Sequence, residues 1–216
     1  MLGRHVEYDA SAKTLDQWKQ LRRPARVLLL ANTAAGENQL TPVICNIEKA
    51  AAQFLPQDEV GVATFPDPLR GYTEVLPVAP LGPSPPANIK GCGSPPLVLA
   101  GALLQVNRSP YPGSDLDQAL SAAVSNLDAT YDPRFINAVL VIDVAPTEPS
   151  SSDDALIAQL QAQLTATAHG GLGGVRVFAI GPKDDQTLIR ITTVGQGFLY
   201  SPDASAHFFD NVISGF

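Results

Sequence analysis

The chain has 216 residues, of which 45% are hydrophobic and 16% are charged, and it carries a formal net charge of −7 with a pI of about 4.8. This length and apolar content favour one large folded domain over a disordered chain. The acidic balance argues against nucleic acid as a partner, because a phosphate backbone would be repelled. No apolar stretch reaches the roughly 18 residues of a membrane span, so we expect no direct membrane insertion.

Residues 1–24 are predicted to form a lead-in or linker segment that precedes the domain at residues 25–216. Thr14–Leu21 has the spacing of a short helix, which Arg22-Arg23-Pro24 would end. Residues 1–16 contain no apolar signal-peptide core. Two origins stay open: a cytosolic protein, or one part of a longer exported protein.

The first half of the domain predicts three strands and a helix. The apolar run 26–31 suits a central strand that is buried on both faces. Apolar residues recur at helical spacing through Leu40–Leu55. Strands at Glu59–Phe65 and Thr73–Val78 flank turn-forming residues, which predicts a hairpin. Proline and glycine are frequent in Leu76–Pro96, so a long loop is expected there.

The second half alternates helices and strands. The predicted helices are 97–106, 115–127, 153–168, 184–194 and 204–213, and the predicted strands are 138–142, 175–180 and 197–200. Ser114 is predicted to cap the helix that starts at Asp115, because its hydroxyl can accept a hydrogen bond from a first-turn N–H. The alternation predicts an α/β fold: a doubly wound, mostly parallel sheet of six strands, with one antiparallel edge strand and helices on both faces.

The two cysteines, Cys45 and Cys92, form no CxxC motif. Cys45 lies in the predicted helix Leu40–Leu55, and Cys92 lies in the proline-rich loop. Two interpretations stay open: two unrelated thiols, or one disulfide that ties the loop to the helix and orders it.

Five segments, in this order, resemble the von Willebrand factor A (vWA) family. ARVLLLANTAAGE (25–37) is similar to the first strand of that family and its Asp-x-Ser-x-Ser loop. YPGSDLDQALSAAVSNL (111–127) is similar to the Gly-Thr-Asp-Leu turn and the helix after it, and AVLVIDVAP (138–146) to the fourth strand with its Thr-Asp-Gly end. VRVFAIGP (175–182) and GQGFLYSPDASAHFFDNV (195–212) resemble the C-terminal strands and closing helix. The resemblance implies a Rossmann-like vWA fold.

In that family, loops at the carboxyl edge of the sheet hold a divalent cation, usually Mg²⁺, in a metal-ion-dependent adhesion site. On the matching positions, the first motif Asp falls on Ala31 and the second motif Ser on Ala35, and neither side chain offers an oxygen. The first motif Ser falls on Thr33, which keeps a hydroxyl. The resemblance therefore implies a degenerate site that lacks its main carboxylate.

The other two matching positions keep their polar groups: the loop Thr falls on Ser114, and the later Asp is present as Asp143. An offset alignment would bring in Asp115 or Glu37. One carboxylate and two hydroxyls make a weak site for an ion that wants six hard oxygen ligands. We expect no cofactor, with weak Mg²⁺ binding at most, and expect Thr33, Ser114, Asp115 and Asp143 to line the binding edge.

Catalysis is not expected. His5, His169 and His207 do not follow predicted strands, and the chain lacks a G-x-S-x-G nucleophile elbow. The resemblance implies a non-enzymatic protein-interaction or adhesion-type module with a protein partner, independent of a divalent metal. The frequent Ala, Pro and Gly, with Arg favoured over Lys, suggest a bacterial source, and an extracytoplasmic part of a larger protein is favoured over a cytoplasmic protein. The alternative is a small-molecule or solute-binding domain that uses the same edge.

Overall fold

The computed structural model describes residues 23–35, 37–83, 85–88, 92–106, 115–145, 153–166 and 174–205. Its strands and helices, in chain order, are β1 (Ala25–Asn32), α1 (Glu37–Ala51), β2 (Glu59–Asp67), β3 (Gly71–Pro80), α2 (Leu97–Leu103), α3 (Leu116–Ala129), β4 (Ile136–Ile142), α4 (Asp153–Ala166), β5 (Arg176–Ile180), α5 (Gln186–Val194) and β6 (Leu199–Tyr200). The predicted helix Thr14–Leu21 and almost all of the predicted closing helix lie outside the described residues. None of the described helices is both long and apolar enough to cross a membrane.

The six strands form one sheet in the order β3-β2-β1-β4-β5-β6. β3 pairs antiparallel with β2, and every other neighbouring pair is parallel. The prediction of a mostly parallel sheet with one antiparallel edge strand is confirmed. β1 and β4 lie in the middle, and almost every one of their residues is buried, which explains why both are continuous apolar runs.

Helices cover both faces of the sheet, as predicted. Successive side chains of β1 point to opposite faces: Val27 and Leu29 pack toward α1 and α2, while Leu28 and Leu30 pack toward α3, α4 and α5. The first core also contains Leu40, Ile47, Leu99 and Leu103, and the second contains Leu120, Leu160 and Leu188. Burial of these faces is the main stabilising term of the fold.

Several predicted boundaries were wrong, most clearly those of α1 and β3. α1 runs over Glu37–Ala51 rather than Leu40–Leu55, and the chain turns where the backbone N–H of Phe54 bonds to the carbonyl of Ala51. β3 continues to Pro80, so the loop is shorter than Leu76–Pro96. Pro77 and Pro80 favoured a loop, but β3 is an edge strand, and an edge strand tolerates proline because half of its N–H groups face away from the sheet.

The buried carboxylate of Asp58 ties three elements together. Its Oδ1 accepts a hydrogen bond from the N–H of Ala25 at 2.8 Å, and its Oδ2 accepts one from Leu55 at 2.7 Å. Its carbonyl accepts a third from Leu81. The start of β1, the end of the α1 connection and the end of β3 are therefore fixed at one point.

The two cysteines are joined in a disulfide, with their Cα atoms 4.4 Å apart. The bridge closes a segment of 47 residues that contains β2 and β3. The sequence left open two unrelated thiols or one disulfide. The structure shows the disulfide, which ties the loop to the helix.

Candidate functional site

The carboxyl ends of the parallel strands bring several polar groups to one edge of the sheet. The last register pairs there are Ala31 with Ile142 and Asn32 with Phe65, so Asn32 and Asp143 leave their strands side by side. The turn between β2 and β3 lies at the same edge. Ligands of doubly wound folds bind at this edge, which makes it the candidate site.

Asn32 and Asp143 contact each other directly. The Asn32 Nδ2 donates a hydrogen bond to Asp143 Oδ1 at 3.0 Å, and both residues are only 1% exposed. The motif comparison makes Asn32 a spacer between ligand positions, so sequence reasoning missed this residue. The sequence contains only a partial signal: Asn32 and Asp143 each follow a buried apolar run, which places both at the carboxyl edge of a parallel sheet but does not show that the two strands are neighbours.

The orientation of the Asn32 amide is fixed by a second hydrogen bond. Its Oδ1 accepts from the backbone N–H of Ala34 at 2.9 Å, and only an oxygen can fill that role. The amide NH₂ group must then point at Asp143. The Asn32 NH₂ group therefore donates to the Asp143 carboxylate. A cation bound to that carboxylate would need an oxygen ligand at this position instead of a hydrogen-bond donor.

The carboxyl group of Asp143 is only half satisfied. Its Oδ2 has no hydrogen-bond partner among the described residues. The pKa of Asp143 is raised to about 6, mainly by burial and in smaller part by the nearby Asp185, while the hydrogen bonds from Asn32 and from the backbone of Ala145 oppose the shift. Asp185 itself is the N-cap of α5, where its Oδ1 accepts a hydrogen bond from the N–H of Leu188 at 3.0 Å.

The other first-loop positions offer little to a ligand. The hydroxyl of Thr33 donates to the carbonyl of Phe65 at 3.0 Å, which joins the loop after β1 to the end of β2. Ala31 is 1% exposed and packs in the core beneath α1 and α2, and Ala35 is buried there too. An oxygen-bearing side chain at position 31 would therefore enter the core rather than face Asp143.

The predicted residues at the start of α3 are only partly placed. Ser114 lies outside the described residues. The N-cap position of α3 is Asp115, so the prediction that Ser114 caps this helix was wrong by one residue. Asp115 is exposed, and its side chain makes no capping hydrogen bond. The described structure thus brings Thr33, Asn32 and Asp143 together and leaves Asp115 at the surface.

Among the described residues, this edge does not offer the ligand set that Mg²⁺ requires. The ion needs near-octahedral oxygen ligands, with carboxylates to balance its charge. In the described ranges, no three Asp, Glu, His or Cys side chains converge at this edge. The carboxylate of Asp143 accepts a hydrogen bond from an amide, and its raised pKa favours the protonated form more than usual.

The β2–β3 hairpin presents an apolar side chain at the same edge of the sheet. Leu69, at the tip, is 88% exposed. Asp67 fixes the turn: its Oδ1 accepts from the N–H groups of Leu69 and Arg70, and its Oδ2 accepts from the hydroxyl of Thr73. The bond from the Leu69 N–H, with those from Thr73 and Arg70, lowers the pKa of Asp67. A rigid turn therefore holds Leu69 in solvent.

No protein-family model matches the sequence, and no curated protein sequence matches it either. Solved structures do match. Proximal thread matrix protein 1 from the mussel byssus aligns with a TM-score of 0.54 and 14% identity, covering 89% of this chain and 46% of that chain. Another structure of the mussel protein, with a TM-score of 0.53, has zinc in its adhesion-site motif. The VWA domain of SpRpn10 aligns with a TM-score of 0.53 and 11% identity, over 89% of this chain and 97% of that one.

The chain spans less than half of the mussel protein but almost all of the SpRpn10 domain. At these identities the likeness concerns the fold alone. The sheet order, the single antiparallel edge strand and the two helical layers agree with it. This chain has the Rossmann-like α/β fold of a von Willebrand factor A domain.

Proposed function

We propose that the chain is a non-enzymatic protein-interaction module of the vWA type that binds its partner without a divalent cation. The observation that carries this proposal is the Asn32–Asp143 hydrogen bond, which directs an amide donor at the remaining carboxylate of the family's metal site. The fold supports the interaction role, since two of the proteins with a similar structure are a thread matrix protein and a VWA domain.

The binding surface that we propose is the carboxyl edge of the sheet, with Leu69 as its apolar anchor. An exposed leucine alone is ordinary. Leu69 differs because the hydrogen bonds to Asp67 hold its turn in one conformation, so little conformational freedom is lost when a partner covers it. A few side chains that fill well-packed pockets of a partner commonly dominate the affinity of an interface.

The same geometry favours a protein-interaction surface over the alternative of a solute-binding crevice, and it also bears on whether the chain is an enzyme. Thr33 and both ends of the Asn32 amide are already bonded to protein groups, so among the described groups at this edge only carboxylate oxygens, Asp143 Oδ2 and Asp185 Oδ2, are left to recognise a small polar ligand. A nucleophile would also need a base beside it. His5, His169 and His207 lie outside the described residues, so the absence of catalysis stays part of the proposal.

The disulfide supports an extracytoplasmic location, because structural disulfides persist in oxidising compartments. We propose that the module belongs to a larger exported bacterial protein, which its composition also favours.

The first test is capture of native partners, followed by affinity measurement on the purified complex. We expect the Kd to be the same in Mg²⁺ and in EDTA. Leu69→Asp should weaken binding roughly 10-fold or more, because a charge would enter an apolar pocket. The matched control is Leu97→Asp on α2, which replaces another exposed leucine (56% exposed) outside the turn between β2 and β3. Strict dependence on Mg²⁺, or equal losses in both variants, would contradict the proposal.

A second test restores a carboxylate at the position that faces Asp143. Asn32→Asp places two carboxylates side by side, and their repulsion is relieved by a cation. We expect measurable Mg²⁺ binding in a calorimetric titration of Asn32→Asp and none in the unmodified chain. If the unmodified chain binds Mg²⁺ as tightly as the variant, metal independence is wrong.

A further inference from the structure

A second cluster of chemically active side chains lies away from the carboxyl edge, where α1 meets the loop before α2. The Sγ atoms of Cys45 and Cys92 and a carboxylate oxygen of Glu48 all lie within 4.8 Å of one another. No other such group of three Cys, His, Asp or Glu side chains occurs in the part of the chain that the structure describes. Two sulfurs and a carboxylate at this spacing form a potential ligand set for a metal ion.

Glu48 is unusual because its charged side chain is buried. It is 1% exposed, and its Oε2 has no hydrogen-bond partner among the described residues. A buried carboxylate normally has a partner, because the loss of hydration is otherwise not compensated. Burial accordingly raises the pKa of Glu48. Within the described residues, the disulfide-bonded form gives Glu48 Oε2 no hydrogen bond that would favour an acid over an apolar residue at this position.

We propose that Cys45, Glu48 and Cys92 form a redox-gated zinc site, which binds Zn²⁺ when both cysteines are thiols and is closed by their disulfide. Two thiolates and one carboxylate suit Zn²⁺, a borderline-soft ion that accepts sulfur and oxygen ligands in a tetrahedron, and water would fill the fourth position. Cys45 and Glu48 are three residues apart on α1, so both side chains lie on one face of the helix.

The chemistry balances with a thiol reductant. Two thiols, or one dithiol, exchange with the Cys45–Cys92 disulfide, so that the reductant becomes a disulfide and each cysteine gains one proton and one electron. Zn²⁺ then replaces the two thiol protons, which are released to solvent. Both cysteines are half-buried rather than fully buried, so a reductant has access to the bond.

The loop stays against α1 by contacts that do not depend on the disulfide. A Cβ at Gly93 would lie 2.7 Å from the backbone nitrogen of Lys49, so the glycine packs directly on the helix backbone. The N–H of Ala87 donates to the carbonyl of Pro95 at 2.8 Å, which closes the loop on itself. After reduction the two sulfurs need to separate only to about 3.8 Å, the spacing of two sulfurs in a tetrahedral zinc site.

The test compares reduced and oxidised protein in a zinc titration. The chain is reduced with a phosphine, which leaves no competing thiol, and Zn²⁺ is titrated against a chromophoric chelator. We expect one equivalent of Zn²⁺ and the release of two protons per reduced chain, and no uptake by the oxidised chain. Co²⁺ bound to the reduced chain should show thiolate charge-transfer absorption. No uptake after reduction, or equal uptake by both forms, would overturn the proposal.

Variants locate the bound ion. Cys92→Ser should lose the uptake, and Glu48→Gln, which can still form the disulfide, should weaken it ~10-fold or more in the reduced state. Glu37→Gln, an exposed residue at the start of the same helix, is the matched control and should bind as the unmodified chain does. Circular dichroism verifies that each variant is folded. Full affinity in Glu48→Gln would refute the site, as would loss of uptake in Asp143→Asn, which would place the zinc at the carboxyl edge.

Discussion

Asp143 shows how one buried residue can impose a pH dependence on the whole domain. Its pKa rises from an ordinary 3.8 to about 6 because the folded protein removes the carboxyl from water. A carboxyl with a raised pKa binds its proton more tightly in the folded state than in the unfolded state. The contribution of Asp143 to the free energy of unfolding is therefore greatest below pH 3.8, and it is lost as the pH rises through about 6.

We predict that Asp143→Asn removes this loss. The asparagine keeps an oxygen for the Asn32 amide but cannot ionise, so the variant should gain up to about 3 kcal/mol relative to the unmodified chain between pH 4 and pH 7.5. The measurement is urea unfolding of both proteins at the two pH values. The exposed Asp184, changed to Asn, is the control and should show no such pH-dependent gain. A constant difference across the pH range would mean that folding does not raise the pKa of Asp143.

The position of Asp143 at a strand end could be predicted from the sequence, but its partner could not. Asn32 and Asp143 are 111 residues apart along the chain, and the motif alignment assigns the loss of the metal ligand to Ala31. The register of the parallel strands decides which residue of β1 lies next to Asp143. A shift of one residue would turn its side chain to the other face of the sheet. Local pattern does not fix that register, so only the structure identifies Asn32.

At the scale of elements, the β2–β3 hairpin depends on one glycine. Gly71 has a φ of +83°, and a Cβ there would lie 2.8 Å from the carbonyl oxygen of Gln118 in α3. Both the backbone conformation and the close approach of α3 therefore exclude a side chain. Gly101 in α2 provides a contrast, because it has an ordinary φ and a Cβ added there would meet no atom within 4 Å.

We predict opposite signs for alanine at these two positions. Gly71→Ala should destabilise the domain by about 2 kcal/mol or more and disturb the presentation of Leu69. Gly101→Ala should stabilise it by roughly 0.5–1 kcal/mol, because alanine loses less backbone entropy in a helix. Thermal unfolding of the two variants checks both signs. Equal effects would mean that the hairpin is not held against α3 as the structure has it.

The elements themselves were predictable where burial left a clear periodicity. β1, β4 and β5 are continuous apolar runs, and α1 repeats its apolar residues at helical spacing, so each was predicted close to its place. The predicted β3 is too short because Pro77 and Pro80 are typical of loops, and only the place of β3 at the sheet edge makes them acceptable. Edge position is a property of the complete sheet rather than of the segment.

At the scale of the whole molecule, the disulfide joins α1 to the loop before α2, a pairing that the sequence left undecided. Cys45 and Cys92 are 47 residues apart, and the closed segment contains the turn at Asp58, the whole of β2 and the edge strand β3. The pairing follows only once α1 and α2 are known to pack on the same face of the sheet. The bridge thus restrains the half of the sheet that carries the proposed anchor, Leu69.

We predict that the double variant Cys45→Ala/Cys92→Ala is less stable than the oxidised chain by about 2–4 kcal/mol, since a closed loop of this length restricts the unfolded state by about 4 kcal/mol in the chain-entropy model. Urea unfolding in metal-free buffer measures the difference, and the reduced unmodified chain should unfold close to the double variant. Added Zn²⁺ should then raise the stability of the reduced chain and leave the double variant unchanged, because a ligand that binds only the folded state stabilises that state. A double variant as stable as the oxidised chain would mean that packing alone, with Gly93 seated on α1, holds this edge of the domain.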